Sequence, residues 1–293
     1  MKFLPIVFTC DDKYFKFTNV VITSIIRNQN PKTHYEINIL SEYISDENIR
    51  LAKKQINGYS NFTINFVILK NFDSSKFFLN SYMSVSTYYR FYIPELFGKY
   101  ERILYLDSDL IVDADISDLA NMDFEDKLAI CCSSPYMKDK IMKGNDEIFT
   151  ISYFKEILKM PDPLQYFNAG VMLYNLHKMN QLNISEKLFD ALEEIKKPLL
   201  QDQDILNAVL SRNGGVKIIS NKYNMTNTVK ITPKRMFLER VKEILGVSKK
   251  NNWFYIYHYV GKDKPWMKKG IDGLLFEKYA KRSPFYKQIL KKS

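Results

Sequence analysis

The stretch "RILYLDSDLIV", Arg102–Val112, decides the fold. Ile103–Leu106 is a short apolar run that reads as a buried strand. It ends in two carboxylates, Asp107 and Asp109, and apolar residues resume at Leu110. Residues two apart on an extended strand share a face but stand ~7 Å apart, at 3.3 Å per residue. One small hard cation needs its oxygens closer than that. The pair therefore chelates only if the strand stops at Asp107 and the backbone turns through "SDL". Such a site would hold Mg²⁺ or Mn²⁺ through few protein ligands and leave positions for phosphate oxygens. In the competing reading one Asp caps the next segment and the other is solvated; the stretch alone leaves both standing.

Upstream, β-rich runs alternate with amphipathic helical runs. "LPIVFTC", "YEINILS" and "FTINFVIL" read as strands. "FTNVVITSIIRNQ" and "DENIRLAKKQI" read as helices, and "SVSTYYRFYIPELF" as a helix broken near Pro94. This alternation predicts an α/β fold with a mainly parallel sheet covered on both faces. Ligands of such sheets bind beyond the carboxyl ends of the strands. Asp11 and Asp12 follow the first strand as Asp107 and Asp109 follow the fourth, so both acidic pairs fall on that edge. Downstream, "KLAICC", "AGVMLYN" and "VKIIS" read as strands, and "ISEKLFDALEEIKK" and "QDILNAVLSRN" as helices.

The 293 residues carry a net charge of +10, unevenly. From Lys262 onward there are ten Lys or Arg against three acids, +7, which leaves +3 for the other 261 residues. A nucleic-acid partner calls for a basic face on the fold itself, so none is expected. The expected organisation is one domain over 1–261 and a basic, aromatic extension over 262–293, with "LLFEKYAKR" and "SPFYKQILKKS" as short helices. That extension has two readings. It is a solvated helical end, or it lies on an anionic membrane surface through Leu274, Leu275, Phe276, Tyr279, Phe285, Tyr286, Ile289 and Leu290 interleaved with Lys and Arg. No apolar stretch reaches the ~20 residues of a membrane span. "MKFLPIVFTCDD" lacks a small-residue cleavage site and reads as a first strand, not a signal peptide. Cys10, Cys131 and Cys132 have no metal-type spacing. They read as reduced thiols in the cytoplasm, with attachment to the inner face of the plasma membrane if the extension binds lipid.

Three further constellations bear on chemistry. In "QYFNAGVMLYN", Asn168, Ala169 and Gly170 precede a buried run; the segment alone reads as a plain turn, although small residues there also permit close approach of a ligand or a backbone. "LLQDQDILNAVL" sets Gln201, Asp202, Gln203 and Asp204 at the start of a helix, where acids suit the dipole and an N-cap, although two amides interleaved with two acids also suit a polyhydroxyl ligand. "YIYHYVGKDKPW" sets His258 after a β-like run, with Gly261 and Lys264 close behind. Lys264 is a candidate for neutralising a phosphate.

Together these segments resemble glycosyltransferase family 8, which comprises bacterial lipooligosaccharide galactosyl- and glucosyltransferases and the glycogenins. The resemblance runs over roughly residues 4–266 and keeps the motif order: "IVFTCDD", "STYYRFYIPELF", "ILYLDSDLIV", "YFNAGVMLYN", "QDQDILN" and "HYVGKDKPW", the last matching H-x-x-G-x-x-K-P-W. It implies a GT-A, Rossmann-like fold and transfer of a hexose from a UDP-sugar to a glycan, lipid-linked or protein-linked acceptor. Anomeric configuration would be retained, with Mn²⁺, or Mg²⁺ in its place. Carried over by position, Asp107, Asp109 and His258 are the metal ligands. Gly261 and Lys264 contact the diphosphate, Thr9 and Asp11 the uridine, and Ser108 and Ala169 line the donor site. Arg90, Asn168, Asp202 and Gln203 surround the donor sugar, with Gln203 on the face opposite the leaving group. A neutral amide there favours front-face attack by the acceptor hydroxyl over a covalent intermediate.

Two departures bear on the donor. Lys13 stands where the family often has Asn, and "SSPYM", Ser133–Met137, offers no match to an Asp that some members carry there. The loops around residues 135–150 and 221–250, expected to select the acceptor, hold no motif. Two rivals remain at this point. A HAD-type sugar phosphatase also uses D-x-D after a strand, but wants it near the N-terminus with a Thr where Ile111 stands. A non-enzymatic glycan-binding protein needs neither the metal nor Gln203.

Overall fold

The computed structural model describes residues 1–70, 77–79, 84–228, 254–267 and 271–291. In chain order the elements are β1 (Lys2–Thr9), α1 (Phe15–Arg27), β2 (Thr33–Ser41), α2 (Asp46–Ile56) and β3 (Phe62–Ile68). A 3₁₀ segment (Val85–Tyr92) then runs into α3 (Ile93–Leu96), followed by β4 (Arg102–Leu106), β5 (Leu110–Val112), β6 (Ala129–Ser133) and α4 (Pro135–Lys143). After these come β7 (Phe167–Asn175), α5 (Leu176–Gln181), α6 (Ile184–Ile195), α7 (Asp202–Arg212), β8 (Val216–Ile219), β9 (Met225–Thr226), β10 (Ile256–His258), α8 (Ile271–Ala280) and α9 (Tyr286–Leu290). Much of the loop expected to select the acceptor, residues 229–250, lies outside the described residues. The chain divides into two compact units.

The first unit comprises Met1–Ile68, Leu106–Asn121 and Asn221–Ser293. Its strands β3, β2 and β1 lie side by side and parallel, with Lys2 opposite Thr33 and Tyr35 opposite Phe62. The α1 helix carries Val20, Val21, Ile22, Ile25 and Ile26, β-branched residues with modest helix propensity. All five are buried, and burial at about 1.5–3 kcal/mol per side chain outweighs the propensity loss. Tyr14, at the N-cap of α1, gives the helix no side-chain cap. Asp11 acts instead, its Oδ1 accepting from the Tyr14 backbone N–H at 2.7 Å.

A second, smaller sheet in this unit has β10 at its centre, antiparallel to β5 and parallel to β9. The register sets His258 opposite Leu110. Between β4 and β5 the chain leaves extended geometry at 107–109, the turn that chelation by Asp107 and Asp109 requires. The three-residue β5 is also tied to α1: the Val112 N–H donates to Ser24 Oγ at 2.9 Å, and Asn28 Nδ2 donates to the Val112 carbonyl at 2.9 Å.

The C-terminal extension packs into the same unit. Phe276, Tyr279 and Ala280 are buried among Phe17, Ile111 and Tyr257. Phe285 is fully buried, edge-on to Phe15 at 5.7 Å. Asp113 accepts from Lys278 Nζ at 2.7 Å and from the Tyr279 hydroxyl. Leu275, Tyr286 and Ile289 are partly buried against this core. Of the residues expected on a membrane surface, Leu274 and Leu290 alone stay more than half exposed, at 58% and 62%. The aromatic content that suggested lipid contact is thus used for internal packing.

The second unit comprises Leu69–Tyr105 and Met122–Ser220, with strand order β4-β7-β6-β8. Here β6 pairs antiparallel with β7 and parallel with β8. The β1–β2, β2–β3, β6–β8 and β9–β10 pairings are parallel and the β5–β10 and β6–β7 pairings antiparallel, which makes the fold α/β with mainly parallel pairing. "SVSTYYRFY" forms the tighter 3₁₀ geometry, and Pro94 falls in the first turn of α3, where its missing N–H has no partner to lose.

Candidate active site

The first unit holds the acidic turn. One side-chain donor atom each from Asp107, Asp109 and His258 lies within 4.8 Å of the other two. His258 Nε2 is 3.1 Å from Asp109 Oδ1 and 3.5 Å from Asp107 Oδ2. His258 Nδ1 lies 2.9 Å from Asn224 Oδ1. A side-chain carbonyl only accepts, so Nδ1 carries an N–H, and in the neutral ring the lone pair is then on Nε2, on the side of the two acids. Asp109 Oδ1 is buried and receives no hydrogen bond. A buried carboxylate oxygen without a donor is costly; beside a second carboxylate and an imidazole lone pair it fits a cation. Two carboxylate oxygens and one imidazole nitrogen make a donor set suited to a divalent metal.

Lys264 Nζ ion-pairs with the other Asp109 oxygen, Oδ2, and donates to the Tyr259 carbonyl at 2.7 Å. Burial pushes the Asp109 carboxyl up, but Lys264 and His258 together outweigh it, and the net effect holds Asp109 well below the usual carboxylate range. Ser108 is buried, and its Oγ accepts from Thr18 Oγ1 at 2.8 Å. Gly261 has φ +83°, with no atom within 4 Å of an added Cβ. Backbone conformation, not crowding, therefore favours glycine there. Trp266 stacks on Phe17 with ring centroids 3.9 Å apart, which anchors the segment bearing Lys264.

The second unit holds the amide and acid cluster. Gln203 Oε1 accepts from Asn168 Nδ2 at 3.1 Å and from the Ala169 N–H at 3.0 Å. Gln203 Nε2 donates to the Tyr166 hydroxyl at 3.1 Å. The Tyr166 hydroxyl donates in turn to buried Asp204 at 2.5 Å, as does Tyr153 at 2.6 Å. The Leu200 N–H adds a third bond to Asp204, at 2.8 Å. Burial nevertheless raises the Asp204 pKa above its ordinary value. Arg90 Nε is 3.0 Å from Asp202 Oδ2, and both side chains are buried. Arg90 also donates to the Ala169 carbonyl at 2.9 Å and lies over the Tyr105 ring.

A family model described as "Glycosyl transferase family 8" matches residues 5–270. The chain belongs to glycosyltransferase family 8. It is 29% identical over 268 residues to a "Putative glycosyltransferase" of Haemophilus influenzae, covering 91% of this chain and 74% of that one. It is 28% identical over 262 residues to a "Lipopolysaccharide 1,2-glucosyltransferase" of Escherichia coli, covering 87% and 71%. Among solved structures it resembles LgtC with a TM-score of 0.74 at 24% identity, over 95% of this chain and 96% of that one. It also resembles the bifunctional glycosyltransferase WbbM with a TM-score of 0.75 at 24% identity, covering 99% of this chain and 51% of that longer one. The fold is therefore GT-A, and a family 8 chain is a glycosyltransferase, which sets aside the phosphatase and the purely glycan-binding rivals.

For this family 8 chain, the residues expected to act fall into two groups. Asp107, Ser108, Asp109, His258, Gly261 and Lys264 belong to the first unit, with Thr9 at the end of β1 and Asp11 in the turn before α1. Arg90, Asn168, Ala169, Asp202 and Gln203 form the linked cluster of the second unit. Asp12 is engaged otherwise: its Oδ1 accepts from the Ser45 N–H at 2.9 Å and from Asn48 Nδ2 at 2.7 Å, tying down the start of α2. Lys13 is exposed. The helix-capping reading of Asp202 also gives way, because its carboxylate bonds Arg90 and Thr87. Sequence reasoning missed Asn224, Tyr166 and Tyr153. Tyr166 stands inside the quoted "QYFNAG" motif, so a hydroxyl beside the paired amides was the available signal. Asn224 lies in "NKYNMTN" and has none.

Proposed function

We propose that this glycosyltransferase moves a hexose, glucose or galactose, from a UDP-hexose to an acceptor hydroxyl on a glycan that is free, lipid-linked or protein-linked. The proposal includes Mn²⁺, or Mg²⁺ in its place, and retention of anomeric configuration. The observation that carries it is the convergence of Asp107 and Asp109 with His258, about 150 residues further along the chain, around an undonated carboxylate oxygen. Relatives named as lipopolysaccharide 1,2-glucosyltransferases and a 1,3-galactosyltransferase support the hexose and a cell-surface glycan.

On this reading Asp107, Asp109 and His258 hold the cation. When bound, a divalent ion supplies positive charge to the diphosphate as the sugar–phosphate bond breaks. Lys264 adds a second positive charge, and Gly261 lets the backbone approach the phosphates. Thr9, Asp11 and Lys13 are the candidates for the nucleoside, with Ser108 and Ala169 lining the donor. Arg90, Asn168, Asp202 and Gln203 surround the sugar. Gln203 is a neutral amide with both ends hydrogen-bonded, suited to stabilising an oxocarbenium-like sugar and poorly suited to attacking it. The acceptor hydroxyl therefore attacks from the face that the diphosphate leaves. Two-step transfer needs a carboxylate nucleophile, and Asp204 is occupied by Tyr153, Tyr166 and Leu200.

Three buried thiols, none in a disulfide, suit the cytoplasm. No helix among the described residues is long and apolar enough to cross a membrane. Contact with the inner leaflet would have to rest on Leu274, Leu290 and the surrounding Lys residues.

A panel of UDP- and GDP-sugars with Mn²⁺, read by released nucleotide, tests the proposal. We expect turnover of one UDP-hexose and its loss in Asp109→Ala with an unchanged far-ultraviolet spectrum. Unchanged turnover in that variant would sink the metal assignment, and turnover of GDP-sugars alone would sink the donor.

A further inference from the structure

We infer that Asn224 is a positioning residue for the His258 ligand: its side-chain carbonyl selects the imidazole tautomer that leaves Nε2 open to a divalent cation. The inference rests on the reading of Asp107, Asp109 and His258 as a metal site. A neutral imidazole has one N–H and one lone pair, and whichever partner takes the N–H decides which nitrogen can ligate. Here the partner is Asn224 Oδ1, 2.9 Å from Nδ1. Asn224 and His258 are 2% and 3% exposed, so bulk water cannot take over as acceptor.

The opposite tautomer would place an N–H on Nε2, 3.1 Å from Asp109 Oδ1. It would occupy the lone pair that a cation needs. The opposite tautomer would also set the Nδ1 lone pair against the Asn224 carbonyl, two acceptors at hydrogen-bond distance.

Asn224 is itself held in place. Its N–H donates to the Asn221 carbonyl at 3.1 Å. The next residue, Met225, begins β9 and pairs with Tyr257, while Thr226 pairs with His258. The Asn227 N–H closes the ladder on the His258 carbonyl at 3.1 Å. The ligand and its acceptor thus ride on two paired strands, as a histidine oriented by a partner at its other ring nitrogen requires.

The test is a Mn²⁺ titration of the full chain without nucleotide, following free Mn²⁺ by its electron paramagnetic resonance signal. Asn224→Ala and Asn224→Leu are expected to weaken Mn²⁺ roughly 10–100-fold. Asn224→Asp, which keeps an acceptor at that position, should hold affinity within about threefold. In a His258→Ala background, Asn224→Ala should add less than about twofold, because the two act as one unit. Wild-type affinity in Asn224→Ala, alongside weak binding by His258→Ala and Asp109→Ala, overturns the role of Asn224 and leaves the metal site standing. So does full additivity in the double variant, or an equal loss in Asn224→Asp. Wild-type affinity in both His258→Ala and Asp109→Ala removes the metal site, and this inference with it. If Asn224→Leu does not fold, the alanine and aspartate variants decide.

Discussion

Phe285→Ala tests whether the basic C-terminal extension is part of the core. Phe285 lies beyond the last residue that the family model matches, yet it is fully buried, edge-on to Phe15 of α1. Burying a phenylalanine side chain is worth about 1.5–3 kcal/mol in transfer alone. The cavity left by truncation brings the usual cost of Phe→Ala in a core to about 3–5 kcal/mol. At ~4 kcal/mol, the folding constant of the first unit falls roughly a thousandfold, at 1.4 kcal/mol per decade. With about 2–4 °C lost per kcal/mol in a domain of this size, melting should drop by roughly 8–16 °C. Urea titration followed by tryptophan fluorescence is the assay, because Trp266 stacks on Phe17 within the same unit. Leu290→Ala, at a site 62% exposed, is the internal control and should stay within about 0.5 kcal/mol. A Phe285→Ala loss below about 1 kcal/mol, or equal losses in both variants, would refute the packing account. The extension would then be a solvated or lipid-facing tail.

Three further outcomes follow from the second unit. Tyr166→Phe removes the acceptor for Gln203 Nε2 and one donor to Asp204; we expect kcat to fall about tenfold with KM little changed, since displacement of a reacting-face group by ~1 Å costs up to 10², and an unchanged kcat would remove Gln203 from the chemistry. Arg90→Ala strands the buried Asp202 carboxylate and should destabilise by about 3–5 kcal/mol, measured by urea unfolding; a loss under about 1 kcal/mol would mean the pair is hydrated. The raised Asp204 pKa makes a signed pH prediction. The folded state binds this proton more tightly than the unfolded chain, whose Asp titrates near ~3.9, so its contribution is full below that pH and is lost as pH rises through the folded value. The stability advantage of the wild type over Asp204→Asn should therefore shrink as pH rises from about 4, and a constant difference in urea midpoints would contradict it.

How much was legible in the sequence depended on the range of the interactions involved. β1, α1, β2, α2 and β3 stand where the alternation of apolar runs places them, because each buries a face that its own residues define. The turn at 107–109 was legible only as a condition, since two carboxylates on a continuing strand stand too far apart to share one cation. β5 has only three residues, and its partner strand, β10, lies about 145 residues further along the chain, so no local period marks it. Asn224 escaped for a related reason: an acceptor for a histidine nitrogen needs only a carbonyl at one distance, and any Asn, Asp or main-chain carbonyl could supply it. Tyr153 was hidden by composition, since in a chain with 20 Tyr a hydroxyl on a carboxylate has no distinguishing context, whereas Tyr166 had its place beside the paired amides as a signal. Asp12 shows the opposite error, because a paired acid at a strand end looks alike whether it meets a ligand or the start of the next helix.

The shortness of β5 also explains why the extension packs where it does. A three-residue strand cannot hold an acidic turn still through one pairing edge. Here β5 is fixed from several directions: β10 at its edge, Ser24 and Asn28 of α1 on the main chain of Val112, and Lys278 and Tyr279 on Asp113 immediately after it. Asn28 Nδ2 also donates to the Tyr279 hydroxyl at 2.7 Å, which closes a loop between α1, the strand and α8. Ligand side chains must stay within about 0.5 Å of productive geometry to act. The aromatic, basic end of the chain thus serves the acidic turn mechanically, by bracing the strand that follows Asp109.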